Sequence, residues 1–128
     1  MAVKQKKAVS RKTTRRKPTL SSVIIDAIQD KKGQKIVSLK LDHISDAVAK
    51  EFIICEAEST TQVRAIGEYI KRQTFDILGE KVWHSEGVSS SDWIILDYVN
   101  IVVHIFLPHV RAFYQLEELW HDAKIEEH

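Results

Sequence analysis

Residues 93–107 constrain the fold more than any other stretch of the chain. Large apolar side chains fill Trp93–Tyr98 and then Ile101–Leu107, with only Val99-Asn100 between the two runs. Successive side chains of a strand point to opposite faces. Two such runs joined by two residues read as a β-hairpin. A turn at Val99-Asn100 sets Tyr98 opposite Ile101, Asp97 opposite Val102, Leu96 opposite Val103 and Ile95 opposite His104. One face then carries Ile94, Leu96, Tyr98, Ile101, Val103 and Ile105, and is core. The other carries Trp93, Ile95, Asp97, Val102, His104 and Phe106. It mixes large aromatics with a carboxylate and an imidazole.

That second face reads in two ways. In the first, a helix covers it, and Asp97 and His104 satisfy each other as diagonal neighbours. In the second, it is an exposed apolar and aromatic patch with two polar anchors. Aromatic residues ringed by specific polar groups are the usual composition of a protein interface.

The remaining elements follow from periodicity. Leu20, Ile24, Ala27 and Ile28 share one helical face, so Leu20 to Lys32 reads as a helix. Ser21 or Ser22 is expected to cap it, and Gly33 to supply a left-handed residue after its end. Lys35 to Leu41 reads as a strand with Val37, Leu39 and Leu41 on one face. Asp42 to Ala49 is a short polar connection. Phe52-Ile53-Ile54-Cys55 has the unbroken apolar character of a strand covered on both faces. Ser59-Thr60-Thr61-Gln62 has the form of a capping box. The helix it opens runs to about Leu78, with Val63, Ile66, Ile70, Thr74 and Ile77 as its buried stripe and Gly79 as its stop. Lys81 to Glu86 reads as a short edge strand and 87–91 as a loop. Pro108 opens a C-terminal helix carrying Phe113, Leu116, Leu119 and Trp120. The whole is an α/β fold, a mixed-sheet layer of about five strands flanked by helices.

Charge adds what the pattern does not. The chain holds 19 Lys and Arg against 18 Asp and Glu, a formal net charge of +1. The balance hides a segregation. Residues 1–20 hold eight basic side chains and no acid, while the rest holds 11 basic against all 18 acidic, a net −7. Residues 1–18 therefore read as a disordered basic tail, and 19–125 as the folded domain. The tail is a solubiliser, a phosphate-binding arm using Lys12, Arg15, Arg16 and Lys17, or a transit peptide. Its shortness and lysine content argue against import into an organelle, so the expected compartment is the cytoplasm. No apolar run approaches the roughly 20 residues of a membrane span.

Chemistry finds little support. Cys55, the single cysteine, lies in an apolar strand and reads as a small buried hydrophobe. The four glycines form no phosphate-binding loop, and no Gly-x-Ser-x-Gly elbow is present. His43, His84, His104, His109 and His121 lack the spacing of a zinc helix. Asp42 and Asp46 read as a solvated acid pair. No catalytic group, metal, cofactor or small-molecule substrate is expected. An alternative from another class is a nucleic-acid binder driven by the tail alone.

The body also resembles the ribosomal silencing factor family, also called the Iojap family. The segments that carry the resemblance are Phe52–Cys55, Ser59–Ile66, Glu86-Gly87, Asp92–Phe106 and Arg111–Ala123. The resemblance implies a fold similar to nucleotidyltransferase domains without their catalytic residues; the alternative on that fold, a nucleotidyltransferase-like enzyme, would need paired metal-binding carboxylates after a Gly-Ser turn, and none is visible. It implies binding to large-subunit ribosomal protein number fourteen and a steric block to subunit joining, which represses translation in starvation or stationary phase. The family's partner-contacting positions fall here on Trp93, Asp97, Tyr98 and His104, with Ile95 and Leu96 nearby. The family's usual Gly-Asp turn is Val99-Asn100 here. The basic tail, which could touch rRNA, lies outside the family core.

Overall fold

A computed structural model of the chain describes residues 17–41, 49–119 and 123–128. Helix α1 (Leu20–Asp30) starts at Thr19, not at Ser21 or Ser22. The Thr19 hydroxyl accepts from the Ser22 amide at 3.1 Å, and Ser22 Oγ accepts from the Thr19 amide at 2.9 Å. This reciprocal pair satisfies two amides that the first turn would otherwise orphan. The helix ends at Asp30, two residues early. Lys32, not Gly33, takes the left-handed conformation, with φ 66°.

Strands β1 (Gln34–Lys40) and β2 (Glu51–Glu56) follow, then helix α2 (Thr60–Leu78). Ser59 caps α2 by accepting from the Gln62 amide at 3.1 Å. The return arm differs from a capping box. Gln62 Oε1 accepts from the Glu58 amide, and its Nε2 donates to the carbonyls of Lys31 and Lys32. Gln62 thus ties the start of α2 to the end of α1. Gly79 ends α2 with φ 70°. Ile77, expected in the buried stripe, is exposed.

The chain then forms β3 (His84–Glu86), β4 (Trp93–Asp97), β5 (Ile101–Phe106), helix α3 (Pro108–Tyr114), helix α4 (Leu116–Leu119) and strand β6 (Lys124–Glu127). The sheet has six strands in the order β3-β4-β5-β2-β1-β6, where about five were expected. Only β2 and β5 run parallel; every other neighbouring pair is antiparallel. The extra strand, β6, is an exposed edge with one apolar residue, Ile125, so it carries no alternation. The C-terminal helix is broken where Gln115 turns left-handed, with φ 49°. The expected connection at 42–48 lies outside the described residues, as do His43, Asp42, Asp46, Trp120 and His121.

The β4–β5 register is the expected one: Ile95 opposes His104, Leu96 opposes Val103 and Asp97 opposes Val102. The turn is tight. Tyr98 N–H donates to the Ile101 carbonyl at 2.8 Å and Asn100 N–H to the Tyr98 carbonyl at 3.0 Å. Val99 sits between them at φ 78°, the strained positive-φ form of a γ-turn.

The two faces of the sheet hold separate cores. On one, Ile24, Ile28, Val63, Ile66 and Ile70 of the two long helices pack on Ile53, Cys55, Ile94, Leu96, Val103 and Ile105. On the other, Val37, Leu39, Phe52, Ile54 and Phe106 are sealed by Leu41, Ala49 and Ala123, with Val110 and Leu116 packed alongside. Each fully buried aliphatic side chain stabilises the fold by roughly 2 kcal/mol.

Candidate partner-binding face

The second core is covered unevenly. Phe106 and Ile54 are fully buried, yet Trp93, Ile95, Asp97 and Val102 on the same face are only half-buried. The half-buried row runs along β4 and crosses to β5 at Val102. Strand β3 extends it, since His84 pairs with Asp97 and Glu86 with Ile95. Directly paired residues of antiparallel strands share a face. His84 Nε2 and Glu86 Oε2 meet there at 2.9 Å.

Trp93 is the row's largest side chain, and its orientation is fixed on several sides. Its ring centroid lies 4.8 Å from that of Phe106 and 4.8 Å from that of Tyr114. Its Nε1–H donates to His104 Nδ1 at 3.1 Å. An indole nitrogen only donates, so neutral His104 carries its proton on Nε2. That atom is buried and has no hydrogen-bond partner among the described residues. The imidazole also packs 4.8 Å from the Phe52 ring. Burial pushes its pKa down to about 4, so it is neutral at pH 7.

The backbone behind Trp93 is shaped by Gly87. With φ 86°, Gly87 passes so close that an added Cβ would sit 2.0 Å from the Trp93 carbonyl oxygen. Only glycine fits both the dihedral and the space.

Asp97 does not pair with His104. Its Oδ1 accepts from the Val99 amide at 2.7 Å, so the carboxylate braces the strained turn. The imidazole takes its hydrogen bond from Trp93, its diagonal neighbour on the other side.

The six residues expected to meet a partner are thus divided. Trp93, Ile95 and Asp97 reach the surface. Leu96 and Tyr98 point to the opposite face and belong to the core under α2. Tyr98 Oη bonds Thr74 Oγ1 at 2.8 Å, and burial pushes its phenol pKa up despite that bond. His104 is buried behind Trp93. Leu96, Tyr98 and His104 are all buried, so the structure leaves only Trp93, Ile95 and Asp97 of the six partly open to solvent. Of the basic residues, Lys17 is exposed, while Lys12, Arg15 and Arg16 lie outside the described residues.

Two contributors were not legible from spacing. Tyr114 comes from α3, where the expected helix offered no sign of contact with the hairpin. Arg111 pins that helix to the sheet. Nη1 donates to the Lys35 carbonyl at 2.8 Å and to Glu56 Oε1 at 3.2 Å, while Nη2 donates to Glu117 Oε2 at 2.6 Å.

Among the described residues, no three His, Cys, Asp or Glu side chains gather as a metal site. Cys55 is buried in β2, and desolvation pushes its thiol up to about 12. No helix among the described residues is long and apolar enough to cross a membrane.

Residues 14–128 match the family described as ribosomal silencing factor during starvation. The chain is 36% identical over 104 residues to a protein named ribosomal silencing factor RsfS from Halalkalibacterium halodurans, covering 81% of this chain and 87% of that one. Identity to the Bacillus subtilis protein of the same name is 39% over 99 residues, covering 77% and 82%. A crystal structure of a Chromobacterium violaceum protein superposes with a TM-score of 0.76 at 30% identity, covering 80% of this chain and 83% of that one.

Proposed function

Because this chain belongs to the ribosomal silencing factor family, whose members are named as regulators and not as enzymes, we propose that it represses translation by steric occupancy. In this reading it binds the large ribosomal subunit through ribosomal protein number fourteen. It then stands where the small subunit must dock, and translation falls in starvation or stationary phase. The bacterial cytoplasm is the compartment in which it would meet that target.

The observation that carries the reading is the half-buried row of Trp93, Ile95, Asp97 and Val102 on an otherwise sealed sheet face. A rigid aromatic anchor beside apolar area and a carboxylate is the make-up of an interface centre. Asp97 and Glu86 give the row an acidic edge, which suits a basic ribosomal protein. Leu96, Tyr98 and His104 hold the row in shape from the interior. The basic tail, with Lys12, Arg15, Arg16 and Lys17, would add sequence-independent contact with rRNA phosphates.

Sedimentation of purified ribosomal subunits with the protein tests this directly. The expected result is co-sedimentation with the large subunit and loss of joined ribosomes when small subunits are added. Co-sedimentation that leaves joining intact overturns the steric mechanism.

A further inference from the structure

The helix that brings Tyr114 to Trp93 has little to hold it by itself. Helix α3 is seven residues long, and its N-cap, Leu107, makes no side-chain hydrogen bond. A helix of that length is unstable alone, so its placement comes from tertiary contacts. Tyr114 is its last residue, and the chain turns left-handed at once in Gln115. The angle of the Tyr114 ring on Trp93 therefore depends on whatever anchors this helix.

Arg111 is that anchor, one turn before Tyr114. Its side chain is nearly buried and uses all three guanidinium nitrogens. Nη1 reaches the sheet at the Lys35 carbonyl and at Glu56, and Nε and Nη2 both reach Glu117 Oε2, at 3.2 Å and 2.6 Å. Lys35 lies at the irregularity in the β1–β2 register and has φ 51°, so its carbonyl is not committed to a regular ladder. One planar fork thus joins β1, β2, α3 and α4. A lysine, with a single point charge, cannot reproduce that fork.

We propose that Arg111 is the positioning residue of the partner-binding face. It sets the seating of Tyr114 against Trp93, and so the shape that the partner meets, without touching the partner itself. The proposal rests on the reading of that face given above.

The test is a double-mutant cycle read by two signals. Affinity for purified large ribosomal subunits is measured for Arg111→Gln/Glu56→Gln, in which no buried charge is left unpaired, and for Glu117→Gln, which loosens the fork at its more exposed end. The same proteins, labelled with 5-fluorotryptophan, report the Trp93 environment by fluorine resonance, assigned through its loss in Trp93→Phe. The expected result is a shifted Trp93 resonance and affinity weakened about tenfold, with no further loss when the change is made in a Trp93→Ala background. Arg111→Lys should restore neither signal. Folded variants with an unmoved resonance and wild-type affinity overturn the proposal, as does an equal loss with and without Trp93. If Trp93→Ala alone binds like wild type, the face itself is misassigned, and the positioning role falls with it. Weak binding by Trp93→Ala beside normal binding by the Arg111 and Glu117 variants rejects the positioning role alone.

Discussion

Trp93 Nε1 donates to His104 Nδ1 across the β4–β5 pair at 3.1 Å, which ties the largest side chain of the half-buried row to a buried imidazole. The bond requires Nδ1 to be unprotonated, so acid acts on the face through the core.

Stability should therefore fall between about pH 6.5 and pH 4. Burial lowers the His104 pKa from 6.5 to about 4, so across that window the unfolded chain binds a proton that the folded one refuses. The stabilisation is complete above the unfolded pKa and is lost as pH falls through the window, by roughly 3 kcal/mol in all. Denaturant unfolding of wild type and His104→Phe at pH 7.5 and pH 4 checks this. Between the two pH values wild type should lose roughly 3 kcal/mol relative to His104→Phe; a constant gap would show that His104 does not titrate on unfolding.

Tyr98 and Trp93 should separate stability from binding. Tyr98→Phe removes the bond to Thr74 Oγ1 in the core, at a cost of about 1 kcal/mol, and should leave large-subunit affinity unchanged. Trp93→Ala should weaken that affinity by at least about tenfold. A Tyr98→Phe protein that folds yet fails to bind would move the interface to the helix-covered side.

Val99→Gly should stabilise the protein by about 1 kcal/mol. Val99 is exposed and holds φ 78°, a conformation that a β-branched residue adopts only under strain. A lower melting temperature in the variant would mean that the glycine's added freedom in the unfolded chain outweighs the strain relieved.

Gly87→Ala should destabilise by about 2 kcal/mol or more and weaken binding as well. The new methyl group collides with the Trp93 carbonyl, so the strand that presents the indole must shift. Unchanged unfolding with normal affinity would show that the 87–92 loop absorbs the clash.

Removing residues 1–18 should flatten the salt dependence of large-subunit binding. Every rRNA phosphate that the tail no longer neutralises lowers the slope of log affinity against log salt by about one. A slope identical to that of the full chain would leave the tail without a role in binding.

The hairpin and the core helices were legible in the sequence because each follows one strong period. Leu96 and Val103 could only face inward once the turn was set at Val99-Asn100, and Ile66 and Ile70 could only share a helix face. What the sequence hid depends on contacts between distant segments. Asp97 was open to His104 on pattern alone, but its carboxylate accepts from the strained Val99 amide. Tyr114 and Arg111 lie on a helix whose end is set by a non-glycine left-handed residue, Gln115, which no local signal marks. Strand β6 is held by pairing with β1 and by His128 Nε2 on Ser38 Oγ, not by any apolar pattern of its own. Residue types announced the elements, and long-range partners decided which side chains serve the face.

The burial of Cys55 has a practical consequence. This lone thiol lies in an interior strand, flanked by β5 and β1, and its thiolate is strongly disfavoured. An alkylating reagent can reach it only while the sheet is open. The rate of labelling then counts openings of the native protein, with no engineered cysteine. Binding of a partner to the neighbouring face would slow that clock, so the molecule carries its own gauge of occupancy.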